Sequence, residues 1–196
     1  MGFFINESLP DALKVRELPE GLQRSSDPES AFWFGASSEA PAGKVLHTAT
    51  WVYALTAPFP TLIDSITLTE LRAFWEGDTS ERLESVSKLY LPATVAAEFR
   101  RNWGPFEGSR IFIYTSLPAI DDLWEQNAWA ILPFEDLQPK LKVIQIEGLS
   151  PLHKDFSAKN YSLALTFHLV QASNAQTAVS AGELERLITS LPATNR

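Results

Sequence analysis

Cysteine is absent from the 196 residues, which excludes disulfides, thiol nucleophiles and cysteine-ligated metals. That absence suits any compartment and so locates nothing. Basic charge is scarce: 16 lysines and arginines face 24 acids, a net charge of −8. Nucleic acid and anionic membrane surfaces both call for clustered basic charge, so neither is an expected partner. Long apolar runs are missing as well. The longest stretch without a charged residue or histidine, 48–63, is interrupted by Pro58 and Pro60, whereas a bilayer needs ~20 apolar residues in a row. Residues 1–7 (MGFFINE) lack the basic region and apolar core of a signal peptide and read as a mature start or a domain edge. Histidine occurs only at His47, His153 and His168, with no paired ligand spacing, so no metal is expected. What is present, 45% hydrophobic and 20% charged residues, is the composition of a folded globular chain. Its length suits one domain or two small lobes.

Helix signals are clear at several places. Ser8-Leu9-Pro10-Asp11 puts a capping residue ahead of a proline suited to a first turn. Thr67-x-x-Glu70 is a capping box opening a helix over 68–75, with Leu71, Phe74 and Trp75 on its apolar face and Gly77 as the stop. Residues 94–103 place Val95, Phe99 and Trp103 four apart, with Gly104 after them. Ser116 and Pro118 suit the opening of a helix carrying Ile120, Leu123 and Trp124, and Ser180-x-x-Glu183 opens the last one, which stops at Pro192. Short β-branched or aromatic runs predict strands over 31–35, 45–56, 86–91, 110–115, 128–132 and 141–146. Most are apolar on both faces, as strands covered by helices on each side should be. Over 161–170 apolar and polar residues alternate, which predicts a half-buried strand with His168 on its solvated side. Strands interleaved with helices make an α/β class with a mixed sheet.

Two strands end alike, Trp51 to Pro58-Phe59 and Trp129 to Pro133-Phe134, a match too short to establish a repeat. Residues 171–180 are polar enough for a loop, and the tail 191–196 reads as the start of a linker. No nucleophile elbow, Walker loop, dinucleotide fingerprint or zinc-protease motif occurs. Gly35-Ala36-Ser37-Ser38 follows a strand and can hold an anion through amides and hydroxyls, although a plain polar turn is the commoner outcome. Asp121, Asp122 and Asp64 could supply paired carboxylates, but Asp121 and Asp122 favour the start of a helix electrostatically, which explains those two without catalysis. Trp75, Trp103 and Trp124 lie at helical spacing and are expected in the core, while Trp51 and Trp129, on strands beside Pro-Phe turns, are more open to a site role. Residue chemistry alone gives no catalytic residue and no cofactor, so the chain is not expected to be an enzyme.

At 52–77 the sequence VYALTAPFPTLIDSITLTELRAFWEG resembles the crossover of type II periplasmic solute-binding proteins, in particular their phosphate-binding-like branch. The stretch 128–170, AWAILPFEDLQPKLKVIQIEGLSPLHKDFSAKNYSLALTFHLV, resembles the return, with Glu147 where an Asp is usual. APFPT…D, AWAILPFEDLQPKLKV and GLSPLHKDF are also similar to the solute-binding-like domain that precedes the metallophosphoesterase domain of CapA-like capsule or poly-γ-glutamate synthesis proteins. The closing Leu-Pro-x-x-Asn-Arg, at 191–196, is like the border of that domain.

The resemblance implies a periplasmic-binding-protein type II-like α/β fold of two small lobes, with mixed sheets and helices on their faces. Lobe one would comprise 1–56 and 149–196, and lobe two 57–148. It implies hinge crossings at Thr56-Ala57-Pro58 and Glu147-Gly148-Leu149. A small polar or anionic solute would lie in the cleft between the lobes, held by Ser8, Ser37, Ser38, Thr61, Thr94, Ser116 and Trp129. It implies an extracytoplasmic location, with lipoprotein anchoring of the parent and the parent's downstream domain as a partner. One departure bears on the ligand. Where phosphate-binding members carry a Ser-Gly-Thr-Arg-like run, this chain reads Leu91-Pro92-Ala93-Thr94, with neither glycine nor arginine. A buried dianion needs a charge-assisted partner such as arginine, so phosphate is not the expected solute. The alternative is a structural or protein-interaction module whose cleft is filled by its own side chains, with Phe59, Trp129 or Phe134 as the plug.

Overall fold

Strand β1 (Gly2–Ile5) opens the chain, followed by β2 (Gln23–Ser25), β3 (Phe32–Ala36) and a 16-residue strand β4 (Gly43–Pro58). Then come β5 (Ser65–Ile66), α1 (Leu68–Trp75), β6 (Leu89–Pro92), α2 (Ala93–Trp103), β7 (Ile111–Tyr114) and α3 (Ile120–Glu125). The last elements are β8 (Trp129–Pro133), β9 (Leu141–Ile146), β10 (Ala164–Ala172) and α4 (Ala181–Ser190). This computed structural model describes residues 1–7, 9–78, 80–116, 119–173 and 180–195. Two compact units share them, Met1–Trp51 with Leu165–Asn195, and Val52–Ala164.

In the first unit β1 pairs in parallel with β2 and β3, β10 runs antiparallel to β3, and β4 lies beside β10. Phe3, Phe32, Phe34 and Phe167 are fully buried here, and the rings of Phe3 and Phe32 stack at 6.1 Å. The alternation over 161–170 holds in part: β10 starts three residues later, at Ala164, and buries Phe167 and Leu169 while Leu165 is half-buried. His168 is a correction: it is half-buried rather than solvated, and its Nδ1 is enclosed without a hydrogen-bond partner. The tail is a second correction. Instead of leaving as a linker, Ala193 accepts a hydrogen bond from the Thr50 amide (2.8 Å), Thr194 bridges Thr50, and Pro192 O meets His47 Nε2 at 3.2 Å.

In the second unit β8 runs antiparallel to β4, while β6 is parallel to both β8 and β7. On the other edge of β4, β9 pairs antiparallel through Leu55–Pro58 with β5 parallel beyond it. Ala130 and Leu132 turn to one face and join Leu123 of α3 and Leu141 in a small core. On the opposite face Trp129 meets Ile66, Leu71, Phe74 and Leu89 around α1. Helices α1 and α2 are tied by aromatics: the Trp75 ring, fully buried, lies 5.5 Å from Phe99, 6.4 Å from Trp103 and 5.2 Å from Phe106. Its indole N–H donates to Gly104 O at 3.0 Å, so this polar tip is satisfied inside the core.

The capping boxes at Thr67 and Ser180 form as expected, and α1 and α2 stop at Gly77 and Gly104, both at positive φ. Such a φ costs glycine no steric strain. Helix α3 starts three residues later than the sequence suggests, with Ala119 rather than Ser116 at its N-cap. The helix expected after Ser8 is only a 3₁₀ turn, Asp11–Leu13, and Ser8 itself lies outside the described residues. Trp103 is half-buried and Trp124 41% exposed, where both were expected in the core. Trp75→Ala is expected to cost about 3–5 kcal/mol in urea unfolding, and Trp124→Ala less, because part of its ring is already in solvent.

Candidate functional site

Parallel pairing brings the carboxyl ends of β6, β7 and β8 to one edge of the second unit. The register Tyr53↔Pro133 adds the start of the β4 segment to the same edge. Four groups of residues converge there: Tyr53 from β4, Pro92-Ala93-Thr94 at the start of α2, Tyr114 at the end of β7 with Ser116 beyond it, and Glu135-Asp136 in the 3₁₀ turn after β8.

The electrostatics of this edge follow from burial. Tyr53 is 1% exposed, and burial drives its phenol well above the usual range even though its hydroxyl hydrogen-bonds Thr94. Burial also raises the Tyr114 phenol, whose hydroxyl donates to Ile131 O at 2.9 Å. Both therefore stay neutral and act as hydrogen-bonding groups, not bases. Burial, then the neighbouring Glu135, pushes the Asp136 carboxyl above its ordinary value. None of the residues named at this edge is basic. Arg100 and Arg101 sit in the last turn of α2, where Arg100 lies 5.1 Å over the Phe106 ring.

A helix start leaves unpaired N–H groups and the positive end of its dipole. Helix α1 fills its own: Thr67 and Glu70 form the box, and Leu68 N donates to Glu147 Oε1 at 2.6 Å. Helix α4 does likewise through Ser180 and Glu183. Helix α2 has Pro92 at its N-cap, which makes no side-chain cap, and no acid in its first turn.

Of the residues expected to touch a solute, Thr94 and Ser116 come to this edge, Thr94 buried and Ser116 exposed. Thr61 and Trp129 lie at the opposite end of the β4–β8 pair and line a groove there. Ser37 and Ser38 are exposed in the 3₁₀ turn after β3 in the first unit. Among the expected crossings, Thr56 is fully buried and its hydroxyl donates to Ala130 O at 2.8 Å, while Ala57 and Pro58 continue β4. Glu147 and Gly148 form a two-residue turn, both at positive φ, closed by reciprocal bonds between Ile146 and Leu149. Phe59 is exposed and Trp129 buried, both at the end remote from Thr94, so neither plugs this edge. Sequence reasoning missed Tyr53, Tyr114, Glu135 and Asp136. A signal for two of them stood in the likeness of the two Trp…Pro-Phe strands, because Glu135 and Asp136 directly follow the second.

Parallel strands whose carboxyl ends feed helix starts are the arrangement in which open α/β sheets hold ligands, and superposition on solved structures identifies the fold as periplasmic-binding-protein type II-like. An ABC-type phosphate transport receptor from Vibrio cholerae superposes with a TM-score of 0.63 at 14% identity, over 82% of this chain and 74% of its own. A putative phosphate ABC transporter substrate-binding protein with bound phosphate, from Clostridium perfringens, gives 0.58 at 14% identity, over 82% and 72%. PstS from Borrelia burgdorferi gives 0.54 at 8% identity, over 87% and 81%. No protein-family description and no curated relative matches the chain. Among the described residues no cluster of ligating side chains suits a metal ion, and no helix is long and apolar enough to cross a membrane.

The two carboxylates act on stability with opposite signs. The Thr67 backbone N–H, then the Thr67 hydroxyl and Arg82, hold Glu70 below its ordinary value against a partial burial penalty. Its contribution is therefore complete above the unfolded value, about pH 4.3, and is lost as pH falls through the lower folded one. Asp136, raised, instead destabilises as pH rises through its folded value. Acid titrations followed by circular dichroism should show Glu70→Gln flattening the low-pH loss of stability and Asp136→Asn steepening it.

Proposed function

We propose that the chain is a non-catalytic, solute-binding-like domain whose second unit receives a small polar solute at the start of α2. The observation that carries this reading is the α2 N-terminus without a side-chain cap, set at the carboxyl ends of the parallel strands beside Tyr53, Thr94 and Asp136. Ligands of open α/β sheets bind at such ends, where N–H groups of a helix start donate to an oxygen of the ligand. The acids favour N–H or O–H donors, and the lack of a guanidinium disfavours a phosphate dianion. A solute with an α-amino acid head, such as glutamate or a short γ-glutamyl peptide, fits both halves of the edge, its carboxylate on the helix start and its ammonium on the acids. The fold of the transport receptors it resembles supports an extracytoplasmic location. The likeness at 128–156 supports a parent in capsule or poly-γ-glutamate synthesis, with a downstream domain as partner.

A second reading, an interaction module, draws on one observation: the Thr94 hydroxyl is already bonded by Tyr53 and buried. Melting temperatures against phosphate, sulfate, glutamate, oligo-γ-glutamate and short sugars separate the two. A solute at ~100 times its dissociation constant adds about 2.7 kcal/mol. Glutamate or its oligomers should raise Tm, and Thr94→Val or Asp136→Asn should abolish the rise, with phosphate inert. A flat panel sinks the receptor reading in favour of the module, and a rise with phosphate alone sinks the ligand class.

A further inference from the structure

At the other end of the β4–β8 pair the second unit carries a groove of about 440 Å³. It lies remote from Thr94: at about 3.3 Å per residue, Pro58 is roughly 17 Å along β4 from Tyr53. The volume falls in the range of about 300–1,000 Å³ usual for small-molecule sites.

One wall is the outward face of α3. Trp124 is 41% exposed and its indole N–H donates to Lys140 O at 3.2 Å, which fixes the ring with surface left open. The helix stops in a Schellman turn, with Ala128 N bonded to Leu123 O, Asn127 N to Trp124 O, and Asn127 at φ 47°. This turn holds the Asn127 amide beside the indole; its Nδ2 donates to Ser85 O at 2.7 Å, leaving the amide oxygen as an acceptor. Opposite stand Pro58, Pro60 and Leu62, with Thr61 and Ser85 supplying hydroxyls. The cation of the groove is already neutralised: Arg82 bonds Glu70 at 3.0 Å and Ser65 O at 2.7 Å.

An exposed indole on a rigid turn, ringed by amide and hydroxyl groups and without uncompensated charge, matches a ligand with one apolar face and a rim of hydroxyls. We infer that the groove around Trp124 and Asn127 binds a neutral pyranose unit, with its C–H face on the indole and its hydroxyls on Asn127, Ser85 and Thr61. A proline-rich peptide would need a series of exposed aromatic slots, and Trp124 is the single exposed aromatic in the lining. The inference is independent of the solute proposed at α2.

The test uses saturation-transfer NMR and calorimetric titration of the chain with glucose, N-acetylglucosamine, cellobiose and chitobiose. Saturable binding of at least one sugar near ~1 mM is expected. Trp124→Ala should weaken it at least tenfold with the fold retained by circular dichroism, and Ser85→Ala should weaken it less. Thr94→Val should leave it untouched. The proposal is overturned by four results: no saturable sugar binding, equal affinity in both groove variants, loss on Thr94→Val, or binding of a proline-rich peptide in place of sugar.

Discussion

The antiparallel pairing of β4 with β8 is the constraint on which the second unit depends. Its register, Tyr53↔Pro133 through Thr56↔Ala130, is pinned inside the sheet by the Thr56 hydroxyl on Ala130 O. A slip of one residue would turn Ala130 and Leu132 away from Leu123 and carry Trp129 out of its packing against α1. The same register sends the two Pro-Phe turns to opposite ends. The turn after β8 brings acids to the start of α2, and the turn after β4 brings Thr61 and Leu62 to the Trp124 groove.

Charge follows from that arrangement. Acids that sit close to helix starts in sequence or in space are consumed as caps, as with Glu70 and Glu147 on α1 and Glu183 on α4. Glu135 and Asp136 lie instead beside buried phenols, where their field raises the cost of ionising Tyr114. The α2 start is the exception, an electropositive end in an acidic neighbourhood. A transport receptor for a dianion requires the reverse balance, so a shared fold with phosphate receptors does not carry the ligand across.

Local rules made much of the fold legible. Both capping boxes, the glycine stops at Gly77 and Gly104, and β9 over 141–146 follow from residues a few positions apart. What failed was long-range. Strand β1 and the short β2 have no alternation of their own and exist because β3 lies beside β1. Trp124 shares helical spacing with Ile120 and Leu123, yet α3 is too short to bury more than one side, so the indole faces out. Thr61 and Thr94 look equivalent as hydroxyls near strand ends. Only the direction of β4 relative to β6 separates them, and direction is written in no local pattern.

Glu147 answers two demands that pull against each other. Its backbone, at φ 52°, occupies a conformation in which a side chain is a burden, and its carboxylate holds the first amide of α1. Glycine would relax the turn and orphan the helix start, whereas a side chain too short to reach Leu68 would keep the strain and lose the bond. Asparagine or aspartate eases the backbone and sacrifices reach. The position is therefore a local compromise rather than an optimum: every substitution trades one small stability for another, and the joint between β9 and α1 can drift in sequence only if turn and cap change together.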